Sequence, residues 1–370
     1  MSEQHLFLAR TTLQFILATA MAAERRTMSN ATSTMLFIPG IVTPESFSRA
    51  IDAWTDTPFA RTVVVVPRRQ SGPLAGARRR RQIKRAVLDA IAEAPCRSVV
   101  VFNDQKDFGQ TALIEVAGRF PGAVRQCADD GSLSYSGFSL PPHSLLTRLR
   151  QRRRHGPHWA DVRVLGTHPL VQQFVALYPE HLRPELRDDR VRPFPLQHLG
   201  CDALRQFATA SCDQMGYQVP DASEGPILLT VSHSSVAARN PGYLRAMQAC
   251  VATLVRRSRP FLFKYHPREA EADYLQIRRQ TDWASEVPRA LPVECLYILA
   301  SARALNVLAG ASSTLLTASF FMPQARRACI VHASDHGDGW DAALLDALRI
   351  TPVSDADAFA SWAAECDESS

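Results

Sequence analysis

Short, continuous apolar runs alternate with amphipathic stretches along most of the chain. MLFIP (35–39) precedes PESFSRAIDAW, TVVVV (62–66) precedes a long basic segment ending AVLDAIAEA, and SVVVF (98–102) precedes TALIEVAGRF. AVRQCA (123–128) and VRVLG (162–166) complete a first half. The alternation restarts with ILLTVS (227–232), a helix at 242–257, FLFKYH (261–266), a helix at 291–302, LNVLAG (305–310), a helix from 312 and ACIVHA (328–333). Two helices then close the chain. Strands that are apolar on both faces belong in a parallel sheet covered by helices on either side. The expected fold class is α/β, with two Rossmann-like, doubly wound domains.

Length agrees, since 370 residues exceed what one simple core organises. From residue 178 to 225 the chain turns proline-rich and charged, with YPEHLRPELRDDRVRPFP near its start and VPDASEGP near its end. The expected division is a loosely ordered extension over 1–34, an N-terminal domain over 35–200, a connection over 201–225 and a C-terminal domain over 226–370. The early stretch LQFILATAMAAERR is a poor secretory signal, its apolar part being short and only Arg10 preceding it as a positive charge. Met35 stands immediately before the first clear strand. No run reaches the ~20 apolar residues of a spanning helix.

Charge and cysteines narrow the picture further. The net charge of +6 is a mild excess, suited to anionic ligands without demanding nucleic acid. RRRRQIKR (78–85) and LLTRLRQRRRH (145–155) are basic runs. They read either as solvated helix faces or as a platform for an anionic glycan or the inner membrane surface. Aromatics are not interleaved with them as in a nucleic-acid groove, so no nucleic-acid partner is expected. The eight cysteines are scattered and form no CxxC pair, which points to reduced, buried thiols and a cytoplasmic chain, peripheral at the inner membrane if the basic runs meet it. No cluster has the spacing of a metal site, and HASDHGDG (332–339) reads as a loop.

In doubly wound domains ligands gather at the C-terminal ends of strands. Three such ends carry chemistry here. Asp129-Asp130-Gly131 follows a strand, and paired carboxylates repel one another, so one ionises less readily. One of them can act as base on a sugar hydroxyl while Gly131 lets an acceptor approach the backbone. A plain DDG turn is the structural alternative. His266 ends FLFKYH between Lys264 and Arg268, and Pro267 stiffens the turn that aims it. With a pKa near working pH, such a histidine can donate to a phosphate or protonate a leaving group; a satisfied core histidine is the structural alternative. VLAGASSTLLTAS turns at Gly310 and opens a helix with Ser312, Ser313 and Thr314, where amides, hydroxyls and helix dipole favour an anion, or where a serine simply caps the helix. Upstream, Glu294 opens another helix and can hold ribose hydroxyls or merely complement the dipole.

The order and spacing of these motifs resemble the GT-B sialyltransferases of bacteria, in particular the capsular polysialyltransferases and the lipooligosaccharide sialyltransferases. Those families share a D/E-D/E-G motif, then HP, then S-S/T, matched here by residues 129–131, 266–267 and 312–313 over roughly residues 35–335. The resemblance implies a GT-B architecture, two Rossmann-like domains facing a cleft. It implies that Asp129 or Asp130 is the general base, that His266 meets the departing CMP phosphate, that Ser312 and Ser313 bind it and that Glu294 binds the ribose. The second His-Pro, at 168–169, lies on the wrong side of the domain connection and does not fit.

The implied activity is inverting, metal-independent transfer of sialic acid or a related nonulosonic acid from a CMP-sugar to a cell-surface glycan such as capsule or lipooligosaccharide. The CMP-sugar is a substrate and no cofactor is expected. A CMP-Kdo, CMP-legionaminate or CMP-pseudaminate transferase is the nearest alternative. A nucleotide-sugar hydrolase or epimerase of GT-B fold is more distant, and a non-catalytic nucleotide-binding subunit of a polysaccharide assembly is the alternative from another class.

Overall fold

The computed structural model describes residues 3–40, 45–65, 75–129, 131–219, 226–258, 260–269, 273–300, 305–331 and 342–368. The chain divides into two compact units, Met1–Thr43 with Thr55–Leu204, and Pro44–Trp54 with Arg205–Ser370.

The elements of the first half are, in chain order, β1 (Gln4–Ala9), α1 (Thr12–Met28), β2 (Thr32–Phe37), α2 (Glu45–Asp52), β3 (Arg61–Val64), α3 (Ala75–Ala92), β4 (Cys96–Val101), α4 (Asp107–Arg119), β5 (Val124–Ala128), α5 (Leu145–His155), β6 (Gln173–Ala176) and β7 (Val191–Pro193). Among the described residues the seven strands form one parallel sheet in the order β3-β2-β1-β4-β5-β6-β7. The order reverses at β1, the arrangement of a Rossmann-like sheet.

Two expectations for this half are corrected. Residues 4–28 are no loose extension. β1 is the strand from which the sheet is wound, paired with β2 on one side and β4 on the other, and Leu6, Phe7, Leu8 and Ala9 have no exposed surface. Gln4 anchors its start by donating to the carbonyls of Ala90 (3.0 Å) and Ala94 (2.9 Å). α1 follows, its N-cap Thr11 accepting from the Gln14 amide, with residues 13–22 buried. Met35 therefore lies inside β2, not before the first strand. VRVLG (162–166) is also not a strand, because the chain turns at Gly166. That residue has φ +84°, and a Cβ there would lie 2.4 Å from the Phe174 ring. The strand comes later, as β6.

The second half contains α6 (Asp202–Asp213), β8 (Ile227–Val231), α7 (Ser234–Arg239), α8 (Pro241–Arg256), β9 (Phe261–Tyr265), α9 (Ile277–Gln280), β10 (Ala284–Glu286), α10 (Val293–Ala300), β11 (Asn306–Gly310), α11 (Ser313–Phe321), β12 (Arg327–Ile330), α12 (Ala342–Ala347), β13 (Ile350–Val353) and α13 (Ala356–Glu368). Its parallel sheet runs β10-β9-β8-β11-β12-β13 and reverses at β8, the same winding as in the first unit. α2 belongs here, not with the first domain. Phe47 and Trp54 close on Phe207 of α6, with ring centroids 5.4 and 5.3 Å away. α6, which lies in the expected connection, thus contributes to a core.

Seven of the eight cysteines are buried and Cys201 is half-buried, all of them as thiols. HASDHGDG lies outside the described residues.

Candidate functional site

In the second unit the pairing register sets three strand ends level. Val231 of β8 faces Tyr265 of β9, and Leu229 of β8 faces Leu308 of β11, which puts Gly310 level with Val231 two residues on. The residues that follow, Ser232-His233, His266-Pro267 and Ala311-Ser312, therefore emerge along one edge of the sheet, at the point where its strand order reverses. In open α/β sheets that crevice is where ligands bind.

His266 follows five buried residues of β9. Its Nδ1 accepts the Arg268 N–H at 3.1 Å, so the neutral ring carries its proton on Nε2 and presents a donor. Burial, then the charges of Arg268, His233 and Lys264, push its pKa down to about 4. At neutral pH His266 is thus a hydrogen-bond donor, not an imidazolium. Pro267 and Arg268 are exposed in the turn, and the Glu269 amide closes it by donating to the His266 carbonyl at 2.9 Å.

Ser312 is the N-cap residue of α11, with extended backbone (φ −154°), yet its side chain makes no capping bond. Neither the Ser312 nor the Ser313 hydroxyl has a hydrogen-bond partner among the described residues, so simple capping does not explain them. Thr314 opens the first turn, and its carbonyl accepts from the Tyr297 hydroxyl of α10 at 3.4 Å. Tyr297 stands one turn beyond Glu294, so the helix bearing Glu294 packs directly on the serine motif. Glu294 itself is only 5% exposed, and burial holds its carboxyl above the usual range against the nearby charge of Lys264. Burial likewise pushes Lys264 down to about 8, and its Nζ donates to the Arg289 carbonyl at 2.9 Å. Lys264 is thus committed to the core.

Gly310 is required by a close approach. A Cβ there would lie 2.9 Å from the Tyr243 ring of α8, whose hydroxyl donates to Ser232 Oγ at 3.0 Å.

Sequence reasoning missed the loop after β8. The His233 ring meets that of His266 edge to face, centroids 5.7 Å apart. Its Nδ1 accepts the Ser235 amide at 3.1 Å, so it too presents Nε2–H when neutral. Glu269 ties the two loops together, accepting from the Ser234 amide (2.6 Å) and hydroxyl (3.1 Å). The signal was legible in TVSHSS, a strand end followed by hydroxyl residues like GASS, and in a carboxylate three residues after His266.

In the first unit Asp129 continues β5, its amide donating to the Val175 carbonyl. The side chain is fully buried. Oδ1 accepts from the Gly131 amide (3.0 Å) and Ser134 hydroxyl (2.8 Å), and Oδ2 from the Tyr135 hydroxyl. Burial lifts its pKa, opposed by these donors and the Leu177 amide. Gly131 has φ +120°, which L side chains rarely adopt, so the loop needs glycine there for its own turn. Asp130 lies outside the described residues. His168 is fully buried in unit one, its amide held by Asp104 at 2.9 Å and its Nδ1 accepting from the Leu170 amide.

The described residues contain no group of His, Cys, Asp and Glu that could hold a metal ion.

Two Rossmann-like units, each a parallel sheet that reverses at its first strand, make a GT-B architecture, and comparison with solved structures agrees on the fold. The chain is similar to UDP-GlcNAc 2-epimerase from Neisseria meningitidis bound to UDP-GlcNAc, with TM-score 0.58 and 10% identity over 98% of this chain and 91% of that one. It is similar to the S. aureus MnaA–UDP co-structure, with TM-score 0.56 and 10% identity over 99% and 88%. It is also similar to the GT-B domain of a sialyltransferase from Photobacterium damselae, with TM-score 0.53 and 12% identity over 99% and 98%. No family model and no curated protein matches the sequence. The chain has a GT-B fold, and the likeness, at such identity, reaches no further than the fold.

Proposed function

We propose that this protein is an inverting, metal-independent glycosyltransferase that moves a nonulosonic acid, sialic acid or a close relative, from a CMP-sugar to a glycan acceptor. One observation carries the reading. The strand edge at the switch point of the second unit gathers a neutral histidine donor and two serine hydroxyls without partners among the described residues, a set suited to a phosphodiester that becomes a monoester and gains charge as its sugar departs.

Asp130 is the base in this reading. Asp129 is enclosed by four donors and holds the loop, which favours its neighbour for the part of base. The acceptor hydroxyl gives its proton to that carboxylate. Its oxygen bonds to the anomeric carbon as the bond to the CMP phosphate breaks, and the electron pair leaves with CMP. His266 Nε2–H, joined by Ser312, Ser313 and the first amides of α11, stabilises the charge that develops on the phosphate. Fixed donors of this kind, aimed where charge appears, supply a large share of catalysis. Pro267 and Thr314 shape the two turns. Glu294, on the helix that packs on the serine turn, is the residue this reading assigns to the ribose.

The same fold is shared with UDP-GlcNAc 2-epimerases, so the test sets the donors side by side. Purified protein is incubated with CMP-sialic acid, CMP-Kdo, CMP-legionaminate, CMP-pseudaminate and UDP-GlcNAc, with and without sialylated and neutral glycans, and nucleotide release is measured. CMP release that rises with acceptor supports the proposal. Conversion of UDP-GlcNAc without CMP release would establish the epimerase reading instead. Tight CMP binding with no turnover of any donor would mark a non-catalytic subunit.

A further inference from the structure

Four of the eight exposed large hydrophobic side chains among the described residues fall within residues 138–149, in and just before α5. Leu145, Leu146 and Leu149 are 82%, 57% and 56% exposed, and α5 buries no residue at all. The leucines do not anchor this helix in the core. Ser144 caps it by accepting from the Thr147 amide, and Gly156 ends it with φ +88°. Arg148 is fixed to Asp161 at 2.9 Å, and His143 bonds to the same carboxylate while its ring meets Trp159 edge to face. At the other end His155 Nε2 stands 3.7 Å from Asp107. The helix is therefore tethered at its start by polar contacts and at its end by the enclosed His155 ring, and its leucines take no part in either.

At about 100° per residue, Leu145, Leu146, Leu149, Arg152 and Arg153 share one arc of the helix. Its first turns are apolar and its last turn basic, and Arg150 is exposed beside that arc. The basic end is continuous with α3. His155 is held below its ordinary pKa by burial and, against Asp107, by Lys84, Arg154 and Arg80, which places the charges of α3 and α5 around one ring. Arg78, Arg80, Arg81 and Arg85 are exposed on α3.

We propose that α5, with the basic face of α3 beside it, docks the protein on an anionic lipid bilayer, the leucines entering the headgroup boundary and the arginines meeting lipid phosphates. A helix with an apolar arc and clustered arginine lies in an interface in this way, and basic side chains near an anionic surface add attraction that salt screens. Among the described residues no helix is long and apolar enough to cross a membrane, so the contact is a surface one. Charge selects this occupant, since a second copy of the chain would bring the same arginines together. The docking face is independent of the donor site and of the proposed reaction.

The full chain is sedimented with vesicles of phosphatidylcholine alone and of phosphatidylcholine mixed with phosphatidylglycerol. Binding is expected only to the anionic vesicles and is lost in high salt. Leu145→Ser/Leu146→Ser/Leu149→Ser and Arg152→Gln/Arg153→Gln should each weaken it about tenfold or more, while leaving the melting temperature nearly unchanged because these side chains are exposed. Three results would overturn the proposal: no binding to either vesicle; serine-variant binding equal to wild type with a soluble anionic polysaccharide competing fully, which marks a glycan platform; or a dimer in solution that the serine variant dissolves.

Discussion

The rings of His233 and His266 stand edge to face at 5.7 Å, each with Nδ1 bonded to the backbone amide two residues on. Both rings therefore present Nε2 as donor when neutral. Ser234 and Glu269, which join the two loops, hold them in that relationship.

From this follows a pH dependence of ligand binding. Free His266 titrates near 4, and a phosphate beside it favours the imidazolium, so the bound value is higher. CMP binding should take up a proton between the two values, and affinity should rise as pH falls from the bound pKa toward the free one. Protonation of the CMP phosphate itself, near pH ~6, works against this trend, so wild type is compared with His266→Gln. Calorimetry in buffers of different ionisation enthalpy should show proton uptake in wild type, less in the variant, and none with cytidine. Equal uptake in both proteins would remove His266 from the phosphate site.

In turnover, His266→Ala should lose about 10²–10⁴-fold, the range of groups that act on a proton or a developing charge. His168→Ala should instead lower the melting temperature, because that ring is fully buried in the first unit. Comparable losses of turnover, with both variants folded, would overturn the assignment.

Asp129 and Asp130 should separate stability from catalysis. Asp129→Asn replaces a buried acceptor of four donors with a group that both accepts and donates, which should cost about 1–3 kcal/mol and show as a lower urea midpoint. Asp130→Asn should keep the midpoint and abolish the acidic limb of the pH–rate profile. A fully active Asp130→Asn enzyme would leave the base elsewhere.

The serine pair lends itself to a binding comparison. Ser312→Ala/Ser313→Ala should weaken CMP roughly 10–100-fold, from the loss of charge-assisted hydrogen bonds, and leave cytidine affinity unchanged. Because Ser312 makes no capping bond, the melting temperature should barely move. A large drop in stability with CMP affinity intact would return the serines to a structural role.

Two changes test the scaffold. Gly310→Ala drives a methyl into the Tyr243 ring and should destabilise by about 1–3 kcal/mol, read from urea unfolding. A chain truncated to begin at Met35 loses β1, the strand at which the first sheet reverses, and should fail to fold, as judged by solubility and circular dichroism. A soluble, cooperative, active truncated protein would contradict the place given to β1.

Sequence by itself settled the fold class, because TVVVV, SVVVF, ILLTV and FLFKY are apolar on both faces and only a covered parallel sheet buries both. It also singled out His266 and Ser312-Ser313, since polar residues directly after such strands reach the edge where ligands bind. Tertiary structure decided what depends on distant pairing. QHLFLA lay in a stretch that read as a loose extension until β2 and β4 closed on it, and α2 could be assigned only through Phe207, more than 150 residues away. Asp129 and Asp130 are alike in sequence, and only the enclosure by Gly131, Ser134, Tyr135 and Leu177 distinguishes the one that holds the loop. His233 joined the site because β8 lies between β9 and β11, an ordering that local pattern does not encode. Hydrophobic period reports which faces are buried, whereas strand order and side-chain enclosure arise from contacts between segments far apart in the chain.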